Sequence, residues 1–351
     1  MMSSLKERDA DLINHWYIAC LSRELKNDPI ERTIYDQPLV LFRHSKSKVV
    51  CFPDRCLHRH TKFSLGGKVI NGRLVCPYHG WQYDSDGKVA HIPSEGPESG
   101  KKYSHCLKKY HCIEQDGAIW VWMGNAEPHP TMPPWRFPFY GENKWISYVM
   151  ITDFENEVTN LAENFMDVPH TVYVHAGWFR DIKNQKVPMT VETKEGKVTV
   201  TYHQTEDKLS WVARTLLNPK NSPMKHTDQF IFPNLTRVDY WFGDNGFIIN
   251  SQITPISTLR SRVYTYIAYK VEFAAKIIEP IVRFYTRKVI NQDVEIMFNQ
   301  GQSLKHDPIC TFRSTPADEV HVAIERLRHW GEKSNPLVYT YQASKVVDFW
   351  I

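Results

Sequence analysis

Cys56-Leu57-His58 and Cys76-Pro77-Tyr78-His79 set two thiols and two imidazoles on two short segments, with seventeen residues between His58 and Cys76. Each segment is mixed, pairing one sulfur with one nitrogen donor at i, i+2 in the first and at i, i+3 in the second. Two Cys and two His on paired loops suit a [2Fe–2S] cluster in which imidazoles replace two thiolates on one iron. That replacement raises the reduction potential and makes the cluster a one-electron relay to a more oxidising acceptor. The same donors also suit tetrahedral zinc. Zinc sites of this composition usually keep like ligands together, whereas each mixed loop here supplies one ligand to each iron. His60 breaks the C-x-H spacing, which leaves His58 as the candidate. Gly66-Gly67, Pro77 and Gly80 permit tight turns that let backbone N–H groups approach sulfur.

A second constellation runs from Asn164 to His175: Asn-Phe-Met-Asp-Val-Pro-His-Thr-Val-Tyr-Val-His. On a regular helix, His170 and His175 would lie about 140° apart and could not meet at one ion. Pro169 makes the backbone irregular, so both imidazoles can turn inward. Two imidazoles and a carboxylate with open positions form the facial triad of non-heme Fe(II) oxygenases, where O₂ and substrate share the iron. A high-potential relay needs a terminal acceptor, and an oxygen-activating iron is one.

The elements that must hold these groups fall into two sets. Residues 13–125 read as β-rich, with runs such as Pro38-Leu39-Val40-Leu41-Phe42 and Ile119-Trp120-Val121-Trp122 between turn residues. Asp84-Ser85-Asp86-Gly87 and Gln115-Asp116-Gly117 are hairpin-type turns. Glu127-Pro128-His129-Pro130-Thr131-Met132-Pro133-Pro134 is a linker, so the boundary is drawn between domains 1–126 and 127–351. Beyond it, 155–168 is predicted helical with Val158, Leu161, Ala162 and Phe165 on one face, 187–270 alternates as strands, and 272–300 is helical again, with Pro280 starting or kinking it. The expected class is α+β: an all-β amino-terminal domain, then an antiparallel sheet with helices. Val347-Asp348-Phe349-Trp350-Ile351 is apolar enough to dock on a neighbour.

With 351 residues, 42% hydrophobic and 23% charged, the chain has room for about two domains with a sizeable core. No run of about 18 apolar residues spans a membrane, and the polar start carries no secretory h-region, so the expected location is cytoplasmic. Seven cysteines form no disulfide-like framework. A net charge of +4 without basic–aromatic tracts argues against nucleic acid. No G-x-G-x-x-G follows a strand, so electrons must come from a partner rather than from bound NAD or flavin.

Taken in this order, the two motifs resemble the oxygenase component of the Rieske non-heme iron oxygenases, in the branch of vanillate and dicamba O-demethylases. Asn14-His15-Trp16-Tyr17, Cys76-Pro77-Tyr78-His79-Gly80-Trp81, the N-x-x-D-x-x-H-x-x-x-x-H run ending at His175, and Thr254-Pro255 carry the likeness across nearly the whole chain. The resemblance implies a Rieske [2Fe–2S] cluster on Cys56, His58, Cys76 and His79, and a mononuclear Fe(II) on His170, His175 and a late-helix Asp. Asn291-Gln292-Asp293-Val294-Glu295 fits that helix, with Asp293 the ligand and Glu295 its rival. It also implies that Asp167 bridges an iron-ligating His to a cluster His of a neighbouring subunit, for which a head-to-tail C₃ homotrimer is the natural assembly. Asn164 is expected to hydrogen-bond near the iron. Electrons would come from NAD(P)H through a separate reductase or ferredoxin, with Arg59, Lys62 and Lys68 as a basic rim for an acidic donor.

The implied reaction is O₂-dependent monooxygenation, a hydroxylation or oxidative O- or N-demethylation of an apolar, ring-containing small molecule. Two alternatives stay open: a hydroxylase or desaturase of a sterol, lipid or pigment-type substrate, and an electron-transfer or zinc-binding module. The segments around Phe230-Ile231-Phe232, Tyr240-Trp241-Phe242, Phe247-Ile248-Ile249 and Phe284-Tyr285 are the candidate pocket walls.

Overall fold

The structure is a computed structural model that describes residues 3–4, 12–97, 99–178, 186–203, 214–215, 218, 220, 222–271, 275–306, 309–310 and 312–350. It separates into two compact units, Ile13–Arg136 and Phe137–Ile351 with Met1–Leu12. Among the described residues, no helix is long and apolar enough to cross a membrane.

The first unit is built from short antiparallel strands. His15–Leu21, Cys112–Gln115 and Ala118–Met123 make one three-stranded sheet, and Ile30–Ile34, Gln37–Ser45 and Lys48–Pro53 make another. Asp116 and Gly117, at φ 52° and 74°, form the tight turn of a hairpin whose twist suits positive φ at both positions. A third sheet of four very short strands, from Lys68 to His91, carries the loop of Cys76 and His79 between Arg73–Val75 and Gln82–Tyr83.

The second unit is dominated by one eight-stranded antiparallel sheet. Its strands are β1 (Ile146–Phe154), β2 (Lys186–Lys194), β3 (Lys197–Tyr202), β4 (Met224–Ile231), β5 (Leu235–Phe242), β6 (Asn245–Ser257), β7 (Arg260–Lys270) and β8 (Ala343–Trp350). They lie in the order β1-β7-β6-β5-β4-β3-β2-β8. Alternation is clean in β2 and β3, where Val187, Met189, Val191, Val198 and Val200 point to the core. In β7 both faces are buried: Tyr266 stacks on Phe137 at 4.4 Å and donates to the Pro138 carbonyl.

Three helices pack on this sheet: α1 (Val158–Asn164), α2 (Ala275–His306) and α3 (Glu319–Glu332). The first is shorter than the periodicity of 155–168 predicts, because the chain tightens after Asn164 into the turn of Pro169–Val172. The long helix holds Pro280 within its second turn, where few preceding carbonyls are available to lose. Fully buried Asn156 fastens it: the amide nitrogen donates to Met297 O at 2.9 Å and to Gln300 Oε1 at 2.8 Å, while Ser261 donates to the Asn156 carbonyl. Gly301 lets the helix touch the Glu155 carbonyl; any Cβ there would collide with it.

The chain end differs from its expected docking role. Residues 343–350 are the edge strand of their own sheet, paired with β2, and Val347 and Phe349 enter its core. Strand alternation spends the apolar residues on that core while Val346 and Trp350 stay exposed; Ile351 lies outside the described residues.

Candidate metal centres

In the first unit, two mirrored loops bring the four donors together. Cys56 N bonds to Thr61 O and His60 N to Cys56 O; in the other loop Cys76 N bonds to Trp81 O and Gly80 N to Cys76 O. The Asp54 carboxylate braces the first loop by accepting from Phe63 N and Ser64 N at 2.7 and 3.0 Å. Gly67 is required by close approach, since a Cβ would collide with the Phe63 carbonyl. His60, at φ 57° and exposed, closes the turn and does not join the donors.

Burial is graded across the set. Cys56 and Cys76 are buried, His58 is half-buried and His79 is exposed. The two imidazole rings stand 4.5 Å apart, and Trp81 stacks flat on His58 at 4.8 Å. Tyr83 Oη lies 3.2 Å from Cys56 Sγ and accepts from Leu57 N. The hydrogen bond with Cys76 holds the Cys56 thiol below its ordinary value, to about 6, and the same bond, with burial, drives the Cys76 thiol up. His58 Nδ1 is buried with no hydrogen-bond partner. Two neighbouring thiols, one already acidic, and an orphaned imidazole nitrogen fit a mixed S₂N₂ cluster site.

In the second unit, the turn Pro169–Val172 reverses the chain so that His170 Nε2 and His175 Nε2 come within 3.3 Å. Asp293, more than a hundred residues later on α2, sets Oδ1 3.2 Å from His175 Nε2 and 3.7 Å from His170 Nε2. These three are the metal-type cluster found among the described residues, with all ligand atoms within 4.8 Å. Two ligand bonds of about 2.1 Å meeting near a right angle separate their donors by about 3 Å, so the spacing fits one first-row ion. Asp293 Oδ1, the oxygen that faces both imidazoles, is buried without a hydrogen bond, which fits a cation-binding position. Glu295, two residues on, faces solvent and is not part of the cluster.

Outer partners orient the ligands. Gln292 Oε1 faces His175 Nδ1 at 3.0 Å, so that nitrogen carries the proton and Nε2 keeps its lone pair for the ion. Gln292 was visible in the sequence only as the neighbour of Asp293. Asp167 Oδ2 lies 3.4 Å from His170 Nδ1 and accepts from the His170 backbone N–H at 3.2 Å. Burial works to lower the His170 pKa, but the Asp167 and Asp293 carboxylates outweigh it and raise the group.

A cavity of about 130 Å³ opens beside this triad. Asn164 reaches it from the last turn of α1, Tyr285 and Ile290 from α2, and Tyr240, Phe247 and Ile249 from the sheet. Of the expected wall residues, Phe230 turns instead into the core beneath α1 and α3, and Trp241 packs on Phe139 and Trp145. Ile231 and Ile248 are outside the lining because a strand shows only alternate residues to one face, and Phe232, Phe242 and Phe284 are outside it as well.

Comparison with known proteins bears on both centres. Residues 15–111 match the Rieske [2Fe-2S] domain, and residues 155–329 match the vanillate O-demethylase oxygenase C-terminal domain. The oxygenase component of dicamba O-demethylase from Stenotrophomonas maltophilia is 34% identical over 165 residues, covering 46% of this chain and 47% of that protein. Chlorophyllide a oxygenase of Arabidopsis thaliana is 34% identical over 184 residues, covering 52% of this chain and 32% of that protein. The matches thus span about a third to a half of these relatives' lengths. Dicamba monooxygenase bound to 3,6-dichlorosalicylic acid shares the fold, with a TM-score of 0.78 at 21% identity over 93% of this chain and 98% of that one. With a Rieske domain followed by a vanillate-demethylase-type oxygenase domain, this chain belongs to the Rieske non-heme iron oxygenases, which carry a [2Fe–2S] cluster and a mononuclear iron.

Proposed function

We propose that the chain is the terminal oxygenase of a multicomponent system that oxidatively removes an O- or N-methyl group from a small ring compound, or hydroxylates it. The observation that carries this reading is the convergence of His170, His175 and Asp293 at the side of a ring-sized cavity. Cluster binding is assigned to Cys56, His58, Cys76 and His79 in domain 1–126, and the iron to the triad in domain 127–351. When bound, the two groups supply single-electron transfer and O₂ activation.

The chain's own residues supply the rest. Gln292 and Asp167 orient the two imidazoles, and Asn164 turns an amide toward the reacting volume. The apolar walls exclude water, which limits wasteful release of reduced oxygen. A demethylation consumes one O₂, two electrons and two protons and releases formaldehyde, water and the hydroxyl or amine.

Asp167 is one-third exposed, with Oδ2 turned toward His170. This supports a second imidazole bonding there, contributed by the cluster of an adjacent copy in a C₃ ring. Exposed His79, with Arg59 and Lys68 nearby in sequence, suits entry of electrons from an acidic ferredoxin or reductase fed by NAD(P)H; Lys62 is paired with Glu31. Cytoplasmic location remains part of this reading.

Cavity size favours the small-ring substrate over a sterol or pigment, since an apolar cavity of about 150 Å³ holds one benzene. The test is to reduce the metal-loaded protein, admit O₂ and assay a panel of methoxylated and N-methyl ring compounds. Formaldehyde or a ring hydroxyl carrying label from ¹⁸O₂ is expected. Uncoupled O₂ loss across the whole panel, with neither product, overturns the proposal.

A further inference from the structure

Strand register lines up three hydroxyls. Thr236 on β5 pairs with Ser251 on β6, and Ser251 pairs with Thr265 on β7. Directly paired residues share a face, so these side chains stand in one row, and all three line the iron cavity. The next row along the strands is aliphatic, Val238–Ile249–Ile267, and the one after is aromatic, Tyr240–Phe247–Tyr269. On the opposite side the face turns apolar again at the Ile253–Val263 pair. On these three strands the hydroxyl row thus lies between apolar rows.

These three residues are 1, 4 and 5% exposed, and they border the cavity. Asn164 Oδ1, at the same cavity, is buried without a partner. Buried polar groups left unpaired are unfavourable unless something arrives to bond them. No Lys or Arg is among the described lining residues, whose charged groups are those of the triad. The His226–Asp228 pair shares this face, but its carboxylate already accepts from His226 and Tyr202 and neither residue lines the cavity.

We infer that the substrate is an uncharged single-ring compound whose hydroxyl, carbonyl or amide group seats on the Thr236–Ser251–Thr265 row, and that carboxylates are rejected. This rests on the demethylase reading for the bond attacked, while recognition itself is a matter of binding. A carboxylate would lose its hydration against threonines and isoleucines, and among the described lining residues no Lys or Arg is there to meet it. A ring without a polar group would give the row nothing to bond.

The experiment is anaerobic calorimetry on the cluster- and iron-loaded protein with three probes that share a para-methoxyphenyl frame: para-methoxyphenol, para-methoxytoluene and para-methoxybenzoate. The phenol is expected to bind about tenfold tighter than the toluene and about thirtyfold tighter than the benzoate. In a Thr236→Val/Thr265→Val variant the phenol's advantage over the toluene should fall to about twofold, with toluene affinity kept. Benzoate binding as tightly as the phenol, an unchanged phenol preference in the variant, or no binding of any probe overturns the inference. Formaldehyde is assayed separately in air: selective phenol binding without formaldehyde removes the demethylase reading and leaves the substrate class standing.

Discussion

The cluster loops and the iron triad solve opposite problems. All four cluster donors lie between residues 56 and 79, held by backbone bonds within each loop, with the sulfurs inside and His79 at the surface. The triad draws on an irregular turn and a helix more than a hundred residues away, and its atoms are buried under a sheet. An electron port must be reachable, so local loops on the surface suffice. A site that activates oxygen must exclude water, and only distant elements can enclose it. The contrast teaches that the first site is set by loop chemistry and the second by tertiary packing.

Removing a ligand from the packed site should separate the two most sharply. Asp293→Ala is expected to lose the mononuclear iron and at least about 100-fold of turnover, while the cluster keeps its visible and EPR spectra; loss of cluster signal would mean the sites are not independent. Asp167→Asn should retain both metals yet lose about 10–100-fold of turnover. Rapid-mixing spectroscopy should show slow cluster oxidation in the presence of substrate, and a normal rate would refute the bridging role. Gln292→Ala is expected to weaken iron binding about tenfold, with Gln292→Glu recovering most of it, as measured by competition with a chelator.

Two smaller effects test stability and potential. Burial pushes the Glu332 carboxyl in the second unit up to about 7, against the opposing pull of Arg328. A raised folded-state pKa gives stability that is complete below about 4.5 and lost as pH rises through about 7. Between those limits the native protein should lose about 1–2 kcal/mol that Glu332→Gln does not lose; thermal melts across that window with equal slopes for both would discount it. Tyr83→Phe removes a hydrogen bond to a cluster sulfur. At one electron, a bond of about 0.5–1.5 kcal/mol corresponds to a fall of about 20–60 mV in midpoint potential, readable by EPR-monitored titration.

How much the sequence revealed follows the same divide. Cys56, His58, Cys76 and His79 are readable because spacing alone creates both loops. Pro169 announced a break that lets His170 and His175 face one another. Asp293 was reached through resemblance, since no local pattern ties it to His175. Gln292 went unassigned because hydrogen-bond direction depends on how α2 is rotated. Among the wall candidates, Tyr240, Phe247, Ile249 and Tyr285 line the cavity, whereas Trp241 and Ile248 do not, because alternation fixes two faces without saying which is inside. Pairing register made the hydroxyl row, and no single strand displays it. The apolar chain end was readable as sticky, but its partner is β2 of the same sheet.

Gly301 shows how far damage can travel. The residue touches no metal donor, yet it sits about two turns beyond Asp293 on one rigid rod. A methyl group there would lever that rod away from the Glu155 carbonyl and withdraw the carboxylate from its histidines. Gly301→Ala would then score in any screen as a lesion of iron chemistry, although the defect is mechanical.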